Sequence, residues 1–326
     1  MKLRLGFYPY TYARVAVMKS RLLKKQQLHT YLKMGIHELM RALQDGEYKA
    51  EMSELHPEKN TLVQLESALN RNMMRTFVKL KRISDDKVQH VLSIYFLRHD
   101  IENVKTIVRA KAAGAPAEEI TPYLLPSINH PDELYVSLAG KESVADVIEA
   151  LPFHVDVGDK ADDLLYVENK LDRYYIDQLF FLSKNLAGQG NVFRAFIQAE
   201  LENLNIKIVL RLLRAGLHSG DIQKLLIYPS QPILDALGRD VSETLQKLAA
   251  LGIVKDVSDY LAVEMEIDTQ LLKREAQLMH QYPLTVNVIL GFMLAKEIEV
   301  RNLKILLKGK KLNIDNAQLE RLVVGA

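Results

Sequence analysis

The stretch HDIENVKTIVRAKAAG, His99 to Gly114, reads as an amphipathic helix running into a glycine stop, and it returns twice in the same chain. Residues 201–216 read LENLNIKIVLRLLRAG, and residues 297–313 read EIEVRNLKILLKGKKLN. Aligned without gaps, the three share an acid, two residues, Asn, an aliphatic residue, Lys, three residues, and then Arg or Lys. The first copy supplies Asp100, Asn103, Lys105 and Arg109; the second Glu202, Asn205, Lys207 and Arg211; the third Glu299, Asn302, Lys304 and Lys308. Eleven residues after each Asn stands Gly114, Gly216 or Asn313. Gly and Asn are the residue types that tolerate the left-handed backbone that closes a helix, so the spacing predicts the same C-cap three times. An aliphatic residue follows each Asn at an offset of seventeen, as Ile120, Ile222 and Leu319.

A fainter element precedes each copy: ESALNR from Glu66, ENKLDR from Glu168 and EMEIDT from Glu264. Glu66 to Glu168 and Asn103 to Asn205 are both 102 residues, while the next intervals are 96 and 97. Two elements in one order, three times over, predict an internal triplication. Proline-bearing breaks at 121–131 and 228–232 mark the borders, giving repeats at 1–126, 127–229 and 230–326.

Composition points to an all-α chain. Val88, Val91, Leu92 and Tyr95 follow the capping candidates Ser84 and Asp85 at helical spacing, and Phe193, Ile197, Leu201, Leu204, Ile208 and Leu212 continue the pattern in the second copy. GIHELMRALQDG and ETLQKLAALG read as further helices closed by Gly46 and Gly252, and no long stretch alternates as strands do. With 48% apolar residues the chain has enough for real cores. The 43 basic and 41 acidic residues nearly cancel, which gives no electrostatic footprint for nucleic acid. Zero cysteines exclude disulfides and thiolate metal sites. The longest apolar stretch, from Pro283, is interrupted by Asn287 and is too short for a membrane span, so it reads as a buried helix.

Catalytic signatures fail on inspection. GKES from Gly140 lacks the earlier glycine of a phosphate loop, and AGQGNVF at 187–193 has Phe193 where a dinucleotide fingerprint needs a third glycine, so both read as helix breaks. No histidine carries the Glu of a diiron helix three residues before it, and no cofactor or metal is expected. The repeated polar residues have two readings. They ring a site that grips a partner, or acid and Asn tie each helix to its own repeat, with Arg71 and Arg173 as candidate partners. Thr269 stands where the third arginine belongs, so that tie is not general.

YTYARVAVMKSRLL, LRHDIENVKTIVRAKAAG, AELENLNIKIVLRLL and EVRNLKILLKGK together resemble the C subunit of the V/A-type ATPases and ATP synthases, the counterpart of the eukaryotic d subunit. The resemblance runs nearly end to end. It implies three similar helical bundles about a pseudo-threefold axis, arranged as a funnel. It further implies a non-catalytic central-stalk protein, one copy per complex, that receives the axle made of the D and F subunits and sits on the membrane proteolipid ring. The place implied is cytoplasmic and peripheral to the cell membrane through the complex, with no span of its own. A helical-repeat adaptor is the alternative, although adaptor repeats are usually only about 20 to 50 residues long.

Overall fold

A computed structural model describes residues 3–55, 62–188, 190–255, 263, 266, 267, 269, 270 and 284–323. The all-α reading holds, with one addition: residues Leu3–Leu5 (β1) pair in parallel with Leu186–Gly188 (β2). Three residues are too few to show alternation, which is why these strands are invisible in the sequence pattern. The AGQGNVF stretch is indeed a break, ending one long helix in β2 before the next begins at Gly190. The chain forms two compact units. One comprises residues 8–182 with the C-terminal residues from 292, and the other residues 1–7 with 183–291.

The larger unit begins with four short helices, α1 (Pro9–Ser20), α2 (Lys25–Lys33), α3 (Ile36–Gln44) and α4 (Lys49–Ser53). The long α5 (Leu62–Arg82) and α6 (Asp86–Ala112) follow, then α7 (Ala117–Ile120), α8 (Asp132–Ala139), α9 (Val144–Glu149) and most of α10 (Leu164–Asn185). The smaller unit holds α11 (Gly190–Arg214), α12 (Ser219–Leu225), α13 (Gln231–Ala236) and α14 (Val241–Ala250). Near the C-terminus come α15 (Val286–Lys311) and α16 (Asn316–Leu322). No helix among the described residues is long and apolar enough to cross a membrane. The apolar start of α15 is instead buried all round, from Val286 through Leu294.

The three motif helices are α6, α11 and α15, and local chemistry explains their ends. Asp85 caps α6 by accepting a hydrogen bond from the Val88 amide at 2.8 Å. Each helix then closes in the same way. Gly114, Gly216 and Asn313 have φ of 75°, 85° and 54°. Beyond them, the amides of Ala115, Leu217 and Ile314 reach back to the carbonyls of Ala110, Leu212 and Gly309 at 2.9, 3.0 and 2.8 Å. That six-to-one bond satisfies carbonyls the helix would otherwise leave open, and the left-handed residue is what turns the chain to make it. Gly252 closes α14 alike, with φ of 70°. Gly46 also follows the cap residue of its helix, Asp45 of α3, but has no positive φ, so α3 ends without the left-handed turn. The Gly140 break ends α8, and Ser143 caps α9 through the Asp146 amide at 3.2 Å.

Behind each closure lies one core pattern. The residues one, four and five places after the repeated Asn are Val104, Ile107 and Val108, then Ile206, Val209 and Leu210, then Leu303, Leu306 and Leu307, and all nine are buried. Ile120, Ile222 and Leu319 are buried too. In the larger unit, α6 and Ile120 pack with Leu138, Val147 and Leu171; in the smaller, α11 and Ile222 pack with Ile233, Leu245, Leu248 and Val263. Burying each such side chain contributes about 1.5–3 kcal/mol, so the helix face that follows the Asn anchors each local fold.

Candidate functional site

The repeated asparagines share one task where their surroundings are described. Asn103 donates through Nδ2 to the Leu125 carbonyl at 2.7 Å and accepts from the Leu125 amide at 2.7 Å. Asn205 makes the same two bonds to Ile227, at 2.8 and 2.9 Å. Both partners lie 22 residues downstream, at the end of the segment that returns after the helix stop. A carboxamide presents one donor and one acceptor at the spacing of a backbone amide, so it closes the returning stretch of chain as a sheet neighbour would. Asn302 is also buried and engaged, but the residue 22 places on, Val324, lies outside the described residues.

This replaces the expected tie to Arg71, which instead faces Glu54 at 3.6 Å. The sequence does carry a signal for the true partner. Leu125 and Ile227 both stand shortly before a Pro-Ser pair, in LLPS and LIYPS.

The acid position has no common partner. Asp100 is buried and accepts from Ser127 Oγ at 2.6 Å and Asn129 Nδ2 at 2.9 Å, both in the loop before α8. Glu299 is buried and accepts from Tyr48 Oη at 2.5 Å, Lys296 Nζ at 2.7 Å and the Leu23 amide at 2.5 Å. Burial and the Glu299 charge push the Tyr48 hydroxyl well above its ordinary pKa, so it stays a donor. Glu202 is exposed.

In the first and third copies the cations tie the motif helix to one of the upstream elements. Arg109 grips Glu168 with Nε at 2.6 Å and Nη2 at 2.8 Å, and Lys105 Nζ lies 3.0 Å from both Asp172 oxygens. Burial alone would lower the Lys105 pKa, but Asp172 and Glu102 outweigh it and raise it. At the other end of the chain, Lys308 Nζ lies 2.7 Å from Glu66 Oε1. Lys304 is held below its ordinary pKa by burial, against the pull of Glu66. Thus α6 pairs with the second upstream element, and α15 with the first. Lys207 and Arg211 are engaged as well, while Glu264 lies outside the described residues.

A second network was not legible in advance. Glu297 is 13% exposed at its side chain, with Arg98 Nη2 at 3.0 Å and His99 Nε2 at 3.5 Å. Burial would push this carboxyl up; Arg98 and His99 together hold it below its ordinary pKa. Its residues fall within the motif helices but at positions where the copies differ, so alignment passes over them.

Lys105, Arg109 and Lys308 thus make ion pairs within the fold. Lys105→Glu would set a third carboxylate beside Asp172 and Glu102, and folding stability is expected to fall by about 2–3 kcal/mol, the half-exposed Asp172 moderating the cost. Unchanged urea unfolding in that variant, with loss of partner capture, would return Lys105 to a binding role. No group of three or more His, Asp or Glu among the described residues is arranged to hold a metal ion.

Residues 11–322 match the profile of the ATP synthase (C/AC39) subunit family. The chain belongs to that family. Its similarity to the C subunit of the A-type ATP synthase of Methanococcoides burtonii is 32% identity, covering 97% of this chain and 94% of that protein. The corresponding A-type ATP synthase proteins of Archaeoglobus fulgidus and Methanocaldococcus jannaschii are 27% and 25% identical. Those two matches cover 97% and 99% of this chain, and 96% and 88% of the respective relatives. The match to the C/AC39 family takes in nearly the full length of the chain, from residue 11 to residue 322.

Proposed function

We propose that this C/AC39 protein is the non-catalytic central-stalk piece of a V/A-type rotary ATPase or ATP synthase. In this reading it is a socket between the axle, made of the D and F subunits, and the membrane proteolipid ring, linking ATP hydrolysis or synthesis to proton or sodium transport. It is held at the cytoplasmic face of the membrane through the complex, one copy in each. Family membership over residues 11–322 is the observation that carries the reading.

The local geometry supports it. A socket that transmits torque needs three bundles, at 1–126, 127–229 and 230–326, that do not shear against one another. The ties from Lys105 and Arg109 to Asp172 and Glu168, and from Lys308 to Glu66, join the first of these stretches to the second and to the third. Their arrangement as a funnel about a pseudo-threefold axis is taken from the resemblance to the family. The Asn103 and Asn205 clamps hold the first and second bundles at the point where the chain returns.

Vesicles reconstituted with the complete complex, and with the complex lacking only this chain, test the proposal. ATP hydrolysis by the soluble head is expected to continue without the chain, while ion pumping falls to background. Pumping at the normal ratio to ATP consumed, in vesicles shown to lack the chain, would overturn it.

A further inference from the structure

The acid position that differs among the copies points to a binding site. In the first copy Ser127 and Asn129 satisfy Asp100; in the third, Tyr48, Lys296 and the Leu23 amide satisfy Glu299. In the second copy the loop after the Asn clamp is shorter, three residues from Tyr228 to Ser230 against six from Pro126 to Pro131. At the 102-residue offset, Pro229 stands where Ser127 stands, and proline has no side-chain donor to offer. The Glu202 side chain makes no hydrogen bond or ion pair with any described residue.

It lines a cavity of about 430 Å³ in the smaller unit. Asn203 and Ser230 line the same cavity, and the Ser230 hydroxyl is buried there with no hydrogen-bond partner. Ile233, Leu251 and Ile253 supply apolar wall. The arrangement is one carboxylate at an exposed edge, three further polar groups able to accept, Asn203, Ser230 and Gln270, and an aliphatic lining.

We infer that this cavity receives an arginine side chain presented by a partner protein. The charge sign selects a cation, because Glu202 is the acidic side chain of the lining and has no counterion among the described residues. The acceptors select a guanidinium over an ammonium: its planar fork carries five donors and matches a carboxylate two-for-two, with donors left for the Ser230 hydroxyl and the Asn203 carbonyl. The propyl stem covers Leu251 and Ile253, as long cationic side chains do along apolar surface. The two sister acids show what this position does when donors are present: it holds them at 2.5–2.9 Å. The inference stands independently of the rotary reading, since it rests on the cavity and on the comparison among copies.

The test uses the full chain with isoleucine methyl groups labelled, titrated with N-acetyl-arginine amide, and with N-acetyl-citrulline amide as its neutral isostere. Saturable shifts are expected at the Ile233 and Ile253 methyls with the arginine probe and not with citrulline. Glu202→Gln, a substitution at an exposed side chain, is expected to leave the fold unchanged and weaken arginine binding about tenfold or more. Ser230→Ala is expected to weaken it less. No saturable shift at either methyl, equal response to citrulline, or binding unaltered by Glu202→Gln would each overturn the inference.

Discussion

Arg98→Met is expected to lower folding stability by about 3 kcal/mol at pH 7, and the loss should shrink as the pH falls toward 5. Glu297 sits in α15 with little solvent, and its ionised form is held by Arg98 at 3.0 Å and His99 at 3.5 Å. Methionine keeps the stem packing of arginine and removes the counter-charge together with the bond to Tyr95 Oη at 2.5 Å, and the pH-dependent part of the loss comes from a buried carboxylate with one partner fewer. The signs follow from linkage. In the native protein the Glu297 pKa lies below its ordinary 4.5, so its contribution is present above that value and lost as pH falls through the lower, folded one. Without Arg98, burial is opposed chiefly by His99, and the folded pKa is expected to rise above the ordinary value. The sign then reverses: the neutral carboxyl is tolerated at low pH, and the cost grows as pH rises through the folded pKa. Urea unfolding of both proteins at pH 7 and pH 5 reads the difference directly. A stability gap that stays constant between the two pH values would mean Arg98 does not act through Glu297.

The second large effect is expected at the Asn clamp, and it should differ between copies. Asn205→Ala strands the Ile227 amide and carbonyl, both in a buried setting, at about 3 kcal/mol in all. Asn103→Ala strands the same two groups of Leu125, but that contact is only partly buried, and water replaces some of what is lost, so about 1–2 kcal/mol is expected. Hydrogen exchange locates the effect: the Ile227 amide should lose protection in Asn205→Ala while the Leu125 amide keeps it. If Ile227 stays as protected as in the native protein, the clamp is incidental and the returning segment is held by Leu226 and its neighbours alone.

Several features were legible in the residues alone. The three motif helices, their left-handed stops at Gly114, Gly216 and Asn313, and the buried aliphatics at Ile120, Ile222 and Leu319 are all local. A cap depends on residues within one turn of it, and a buried stripe on a period of 3.6, so both are written in short windows. The Asn positions stand out as a pattern, but their partner does not: side-chain chemistry favours Arg71, whereas the carboxamide takes a backbone 22 residues on. A backbone group carries no sequence mark, and only the repeated Pro-Ser after Leu125 and Ile227 hints at it.

Tertiary structure decided what the acids and cations do. Asp100, Glu202 and Glu299 occupy one place in the pattern yet meet a loop 27 to 29 residues away, an open cavity, and a tyrosine 251 residues away. Lys105 reaches Asp172 across 67 residues, and Lys308 reaches back from near the C-terminus to Glu66. The sequence by itself determined which helices form and where they stop, because hydrogen-bond closure and side-chain periodicity act over a few residues. Which charge meets which, and which acid is left open, belonged to the fold alone, since an ion pair depends on distance in space and the spacing along the chain does not set it.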